Sequence, residues 1–479
     1  MDKQDLVVIG GGTSGFIVAI GALKLGLKVI LIDKNSRLGG TALHVGCIPS
    51  KTMLHVAQIA HYFRHAQDFG LDAKLMPVNL AQVNAHISQV VTGIERQDAL
   101  EAQQTFQRLG GEILLGQPKF IDNHSLLLNN EKIVAKKFAI ATGSRTLCPD
   151  IPGLAQVEYV TNETVKKKKK LPASIIILGG RPAAIEFAQI YARLGAKVTV
   201  VVAGDSILPQ EDAELANKIR EALVQEGVEF YFNTQVEAAY WQQDKKFLEC
   251  LHASGEKFVL NSAEIFVSLG RKANVEGLGL ENAGVEYNQA GILVSKKLRT
   301  TNKKIYALGD VISSPYKLTH AAEYQANIVL SNAVFRFPAR AKYHGFPYVI
   351  FTNPEYAQVG LTEQQAIEQG LSNIEIARFD FKDLDSAAIQ GVNSGLIKIV
   401  TQRGKIIGAS IVGPQASNLI AEWGLAINLG AYITDVAATI HAYPTLAQIN
   451  RRVASKQTAK NLFNTSNNWL LRYWQLIFA

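Results

Sequence analysis

Twice in this chain a short apolar run is followed by a glycine-rich turn, a helical pattern and a second apolar run, and that order leaves few folds open. The first instance runs from residues 6–9 through Gly10, Gly11, Gly12, Thr13, Ser14 and Gly15 to a helical stretch at 16–25 and a strand at 28–32 that ends on Asp33. The second runs from 174–178 through Gly179 and Gly180 to a helix at 182–194 and a strand at 197–202. Each is a βαβ unit, with two parallel strands joined by a helical crossover. Gly10, Gly12 and Gly15 fall on the G-x-G-x-x-G pattern, where a tight turn, close approach of backbone to a pyrophosphate and close helix packing each exclude a side chain. The phosphates then meet free N–H groups at the helix N-terminus. Asp33, 18 residues beyond Gly15, stands at the strand end, where its carboxylate can accept hydrogen bonds from a ribose. Strand, turn, helix and acid in register predict dinucleotide binding.

Two further strands end in small residues. Residues 137–140 lead into Ala141, Thr142, Gly143 and Ser144, and residues 304–307 lead into Leu308, Gly309 and Asp310. From about Tyr348 the grammar changes: strands at 396–400 and 406–412 alternate with helical stretches at 417–429 and 433–439, the pattern of an α+β domain with a mixed or antiparallel sheet. At 479 residues, 48% hydrophobic and 19% charged, the chain has the length and balance for about three folded domains. The expected class is α/β, with two Rossmann-like dinucleotide-binding domains and a C-terminal α+β domain.

Residues 38–51, which read Leu-Gly-Gly-Thr-Ala-Leu-His-Val-Gly-Cys-Ile-Pro-Ser-Lys, closely resemble the redox segment of the class I pyridine nucleotide–disulfide oxidoreductases, the family of dihydrolipoamide dehydrogenase, glutathione reductase and mercuric reductase. The resemblance extends over nearly the whole chain. Thr142, Gly143 and Ser144, and then Gly309 and Asp310, look like its second and third FAD-contacting segments, Gly270-Arg271 like its arginine-bearing element, and residues 351–363 like the start of its dimer-interface domain. The resemblance implies FAD as cofactor, held by Gly10, Gly12, Gly15, Asp33, Gly40, Thr41, Lys51, Thr142, Gly143, Ser144, Arg271, Gly309 and Asp310. It implies that Lys51 pairs with Glu186 near the flavin, and that the chain is a homodimer. It divides the chain into a FAD domain (1–147 and 271–343), a NAD(P)-type domain (148–270) and a dimerisation domain (344–479).

The departures weigh as much as the matches. Where the family has two redox cysteines, this chain has Ala42 and Cys47, so only the flavin-side thiol remains and no disulfide can form there. The family's base is a His followed by Pro-Thr; here Tyr443 precedes Pro444, with Gln448 in place of the orienting Glu, and His441 two residues earlier reads as structural. A phenol is a poor proton acceptor at neutral pH. A Tyr here is similar to the mercuric reductase branch, whose C-terminal cysteine pair is absent. In the second nucleotide turn Gly179 is kept, but Arg181 occupies the second glycine position and Val202 the strand end, so NAD(P)H binding is degenerate. Three readings follow: a FAD oxidoreductase impaired in disulfide reduction and passing electrons to an unidentified small-molecule acceptor, a NAD(P)H oxidase or peroxidase using Cys47, or a catalytically weak flavoprotein with a binding role.

The net charge of +8 is spread along the chain without a nucleic-acid-binding signature, so no nucleic-acid partner is expected. The one dense run, five lysines at 166–170, reads as a solvated linker because like charges repel. Three cysteines, Cys47, Cys148 and Cys250, have no zinc-ligand spacing, so no metal is expected; their low, odd number suits the cytoplasm. The apolar, aromatic stretch at 469–478 is expected to pack on the dimer or touch a membrane peripherally.

Overall fold

The computed structural model describes residues 3–335 and 338–463, so the stretch at 469–478 lies outside the described residues. The chain forms two compact units, one of Met1–Ile175, Glu237–Glu249 and Val259–Lys342, the other of Ile176–Val236, Cys250–Phe258 and Tyr343–Ala479.

The first unit is built around the strand Gln4–Ile9. Its last four residues are all buried, which is why it reads as an unbroken apolar run rather than an alternating one. It lies between Val29–Asp33 and Glu131–Ile140, parallel to both, in a seven-stranded sheet of order 112–115, 29–33, 4–9, 131–140, 125–128, 119–120. Ile305–Ala307 pairs in parallel with the far end of Glu131–Ile140. Ile9 stands opposite Ile140, and Ile140 opposite Ala307. The three turns that follow, at Gly10, Ala141 and Leu308, therefore leave the sheet at one edge. In an open parallel sheet that edge, at the carboxyl ends of the strands, is where ligands bind.

The helix after the first turn is Thr13–Lys24, three residues longer at its start than the apolar spacing predicts, because the glycine turn itself supplies the first helical turn. Cys47–His65 is a 19-residue helix that buries Met53, Ala57 and Ala60. Among the described residues no helix is long and apolar enough to cross a membrane.

In the second unit the helix Pro182–Leu194 coincides with its sequence reading. Pro182 starts it, where the missing N–H costs nothing, and Gly195 ends it in the left-handed conformation at φ 109°. The strands Glu229–Tyr231, Lys197–Val201 and Ser174–Leu178 follow one another in the sheet beneath. The C-terminal part is an antiparallel five-stranded sheet of order 348–350, 355–360, 405–413, 396–402, 374–380, as the expected α+β domain requires. The helices Ala416–Leu429 and Gln448–Leu462 belong to the same core, where Trp423 is fully buried and donates from Nε1 to Asn450 Oδ1 at 2.8 Å.

One buried charge cluster stands out in this unit. The Lys398 ammonium, 5% exposed, lies 2.7 Å from Asp212, 3.1 Å from Glu214 and 2.8 Å from Glu363, with Arg378 2.8 Å from Glu363. Burial opposes ionisation of Glu363, but Lys398 and Arg378 overcome it and hold the carboxyl below its ordinary value. Its stabilising contribution is therefore full at neutral pH and is lost as pH falls through the carboxylate range. Lys398→Met would leave these carboxylates without their central cation. It is expected to lower stability by about 3 kcal/mol in urea unfolding at pH 7, with a smaller loss at pH 4.

Candidate active site

The first glycine turn is shaped by contacts no side chain would permit. A Cβ on Gly10, which sits at φ 115°, would lie 2.3 Å from the carbonyl oxygen of Ala141, and one on Gly15 would lie 1.8 Å from that of Gly10. Gly12 differs. Its φ of −81° suits any residue, and the nearest atom to a Cβ there is Gly40 Cα at 3.7 Å. The protein's own atoms leave that glycine unexplained; a pyrophosphate brought against the N-terminus of Thr13–Lys24 accounts for it.

Asp33 faces this turn. Its Oδ2 accepts from Gly11 N at 2.7 Å and its Oδ1 from Asn35 N at 2.8 Å. Each oxygen keeps a lone pair for a ribose hydroxyl. The redox segment is fastened to the same place: Gly39 N donates to Gly11 O at 2.9 Å, and Gly40, at φ 75°, passes so near Gly12 that a Cβ would lie 2.9 Å from its Cα. Thr41 lies in the short helix Gly40–His44, and Cys47 begins the long one, with Lys51 one turn further on. The Cys47 thiol is exposed and lies 3.5 Å from Thr319 Oγ1, at the start of the helix Thr319–Leu330. Sequence reasoning missed Thr319, since a threonine at a helix start signals only a cap.

The other two strand ends meet through side chains. Ser144 Oγ donates to Asp310 Oδ2 at 2.7 Å, and Arg271 Nε donates to Ser144 Oγ at 2.7 Å while lying 3.3 Å from the same Asp310 oxygen. All these contacts fall on Oδ2, which leaves Oδ1 as an acceptor for a ligand hydroxyl. Thr142 is locked to Asn274 in both directions, Oγ1 donating to Asn274 O at 2.8 Å and its own carbonyl accepting from Nδ2 at 2.9 Å. Gly143 and Gly309 take φ 68° and 74°. Gly10, Gly12, Gly15, Asp33, Gly40, Thr142, Gly143, Ser144, Arg271, Gly309 and Asp310 thus share one region of the first unit.

In the second unit, Gly179 turns at φ 122°, and the Arg181 side chain is exposed at the start of Pro182–Leu194. Burial pushes the nearby Glu211 carboxyl up, opposed by backbone hydrogen bonds and, more weakly, by the charge of Arg181. Val202 is buried and offers no acceptor side chain at the strand end. Glu186 is 4% exposed and its Oε1 accepts from Phe351 N at 2.9 Å. Tyr443 is 67% exposed, and a hydrogen bond to Asp385 pushes its phenol above the ordinary tyrosine value, so it is a still poorer acceptor than its type. His441 has its Nε2 3.0 Å from Glu422 and its Nδ1 3.1 Å from Thr439 O. Both ring nitrogens thus have polar partners within the protein. Gln448 is buried at the head of its helix.

None of the three cysteines is in a disulfide. Burial pushes Cys250 up to about 11, which leaves it inert as a nucleophile. Among the described residues no group of His, Cys, Asp or Glu is arranged to hold a metal.

Two glycine-turn folds, one bearing a cysteine on the helix next to its phosphate cradle, define an oxidoreductase that works with dinucleotides. Residues 4–326 match the family described as pyridine nucleotide-disulphide oxidoreductase, and residues 346–453 match that family's dimerisation domain. The chain belongs to the pyridine nucleotide-disulphide oxidoreductase family, as a homodimeric, FAD-dependent flavoprotein of the dihydrolipoamide dehydrogenase-like kind. It is 33% identical over 463 residues to a dihydrolipoyl dehydrogenase of Bacillus subtilis, covering 94% of this chain and 96% of that one. It is 30% identical over 450 residues to a mercuric reductase of Lysinibacillus sphaericus, covering 93% and 81%. The Cu(II) complex of the HOCl-induced flavoprotein disulfide reductase RclA from Escherichia coli superposes with a TM-score of 0.84 at 26% identity, covering 95% of this chain and all of that one.

Gly12 gives a clean test of the cradle. Gly12→Ala is expected to fold with unchanged circular dichroism and to weaken FAD binding by about tenfold or more, ~1.4 kcal/mol, in reconstitution titrations. Equal FAD affinity in the two proteins would mean that the phosphates do not approach this residue.

Proposed function

We propose that this chain is a FAD-dependent oxidoreductase in which dithiol–disulfide turnover is suppressed and electrons pass to a small-molecule acceptor beside a lone thiol, Cys47. By the family resemblance, Cys47, Lys51, Glu186 and Tyr443 would take the roles of the family's catalytic residues. Gly179 and Arg181 mark a nicotinamide site that is weak in NADH and NADPH alike. The boundaries that accompany this reading are a FAD domain of 1–147 and 271–343, a NAD(P)-type domain of 148–270 and a dimerisation domain of 344–479.

One observation carries the reading: Ala42 stands where an attacking thiol is required, and no other cysteine substitutes for it. Reducing a disulfide needs a thiolate to attack it, a second thiol to resolve the mixed disulfide and a base to manage the proton. Cys47 alone could hold a mixed disulfide but has no neighbour to release it. The Tyr443 phenol, raised further by Asp385, does not deprotonate a thiol at pH 7. Bound FAD supplies a carrier that accepts electrons in pairs and passes them on singly or in pairs. Around it the protein's part is to bind and orient through Asp33, Asp310, Ser144 and the glycine turns, and to hold the Cys47 thiol at the start of its helix.

The exposure of Cys47 and its contact with Thr319 favour a second reading, peroxide reduction. The thiolate would take one oxygen from hydrogen peroxide, giving a sulfenic acid and, with a proton, water; two electrons from the nicotinamide and two protons would return it to the thiol, its oxygen leaving as a second water.

NADH-dependent lipoamide and glutathione reduction are expected to run roughly a thousandfold below ordinary family rates, in the manner of lost triad members, while quinone reduction persists. Ala42→Cys alone should restore little; adding Tyr443→His and Arg181→Gly should restore more. Lipoamide reduction at full family rates by the unaltered protein would sink the proposal. Peroxide turnover that disappears in Cys47→Ser would favour the second reading. Failure of either nicotinamide to bleach the flavin anaerobically would favour a binding role.

A further inference from the structure

The loop from Thr41 to Cys47 closes on itself tightly. Val45 N donates to Thr41 O at 3.1 Å, and a Cβ on Gly46 would lie 2.9 Å from Thr41 O and 3.3 Å from Ala42 Cα. Where the family motif has a cysteine pair to bridge this loop, Ala42 leaves it without a covalent tie. Two of its carbonyls are gripped from outside instead. Lys166 Nζ donates to His44 O at 2.6 Å, and Asn162 Nδ2 donates to Val45 O at 3.3 Å. Residues 161–168 form a platform for these two donors. Val165 is buried, Val165 N donates to Thr161 O at 2.9 Å, and Thr161 N donates to Thr164 Oγ1 at 2.9 Å. Thr146 Oγ1 donates to Asn162 Oδ1 at 2.9 Å, which orients the carboxamide so that its nitrogen faces Val45.

The lysine run is therefore not simply a solvated linker. Lys168 pairs with Glu264 at 2.6 Å, and its carbonyl accepts from Asn84 Nδ2 at 2.6 Å. These ties bring Lys166 onto the loop, half out of water. Burial first, then the nearby charges of Arg37 and Lys167, work against its ammonium. An ammonium placed against such opposition, on a carbonyl at the end of the short helix Gly40–His44, has a specific partner there.

We propose that Lys166 and Asn162 are positioning residues that hold the Cys47-bearing loop non-covalently, standing in for the disulfide that Ala42 rules out. The clamp does not open on reduction, as a disulfide would, so the loop keeps one conformation through every redox state. This rests on the reading of Cys47 as a lone thiol. Its test reads the loop directly, so it can fail while the activity assignment stands, and the reverse.

The test is amide hydrogen exchange over residues 43–47, with alkylation of Cys47 by iodoacetamide, on the FAD-loaded protein. In Lys166→Met/Asn162→Ala, exchange in these amides is expected to accelerate by about tenfold or more, with local opening no longer opposed. Alkylation should accelerate several-fold, while exchange in the strand Gln4–Ile9 stays unchanged. Lys166→Arg with Asn162 intact should behave like the unaltered protein, because a guanidinium can still donate to His44 O, and Lys169→Met should have no effect. Adding Ala42→Cys to the double variant and oxidising the 42–47 pair should restore protection, since a covalent tie would then do the same work. Unchanged exchange in the double variant, an equal effect from Lys169→Met, or no recovery with the disulfide formed would each overturn the proposal. If the double variant fails to fold, Lys166→Met alone is read against Lys166→Arg: equal exchange in the two would overturn it as well.

Discussion

The first unit depends on the approach of one helix to one strand at Gly10 and Gly15. With the oxygen of Gly10 only 1.8 Å from where a Gly15 Cβ would lie, the helix Thr13–Lys24 can begin directly above the end of Gln4–Ile9. That position aims its free N–H groups across the carboxyl edge of the sheet. The other features are fixed relative to it: Asp33 bonds back to Gly11, Gly39 bonds to Gly11, and Gly40 lies against Gly12. The redox loop is thus an extension of the phosphate turn. A side chain at either close contact would displace the helix, and with it the cysteine.

The alterations in this chain are unevenly placed. In the first unit Asp33 and Asp310 stand with the left-handed glycines Gly10, Gly40, Gly143 and Gly309. In the second nucleotide turn Arg181 stands at the middle position and Val202 at the strand end, and in the C-terminal motif the Tyr443 phenol bonds to Asp385. The buried helix Pro182–Leu194 and the Lys398 cluster show that the altered parts still carry structural demands of their own.

Much of this was legible because glycine and proline act locally. The turn at Gly10–Gly15, the helix from Pro182 to Gly195 and the antiparallel C-terminal sheet follow from residues whose backbone preferences are strong and whose neighbours are close in sequence. The helix Cys47–His65 went unread although Met53, Ala57 and Ala60 carry a helical spacing, because alanines give a weak apolar signal. The lysine run is legible only in part: Lys167, Lys169 and Lys170 are exposed, as like-charge repulsion predicts, but the role of Lys166 comes from His44, more than a hundred residues away. Thr319 and Asn162 share that difficulty. Their side chains matter only through atoms that the chain brings near them by folding.

His441 carries a consequence for how such a protein can change. Its ring is held between the Glu422 carboxylate and the Thr439 carbonyl, and Glu422 also accepts from Asn450, which in turn holds the indole of Trp423. Restoring a histidine at position 443 would add a second imidazole to a neighbourhood already organised around the first. The earlier one could not be removed without leaving Glu422 short of a donor next to a core tryptophan. A change at position 441 or 443 therefore has to keep this chain of hydrogen bonds intact, a constraint set by four side chains.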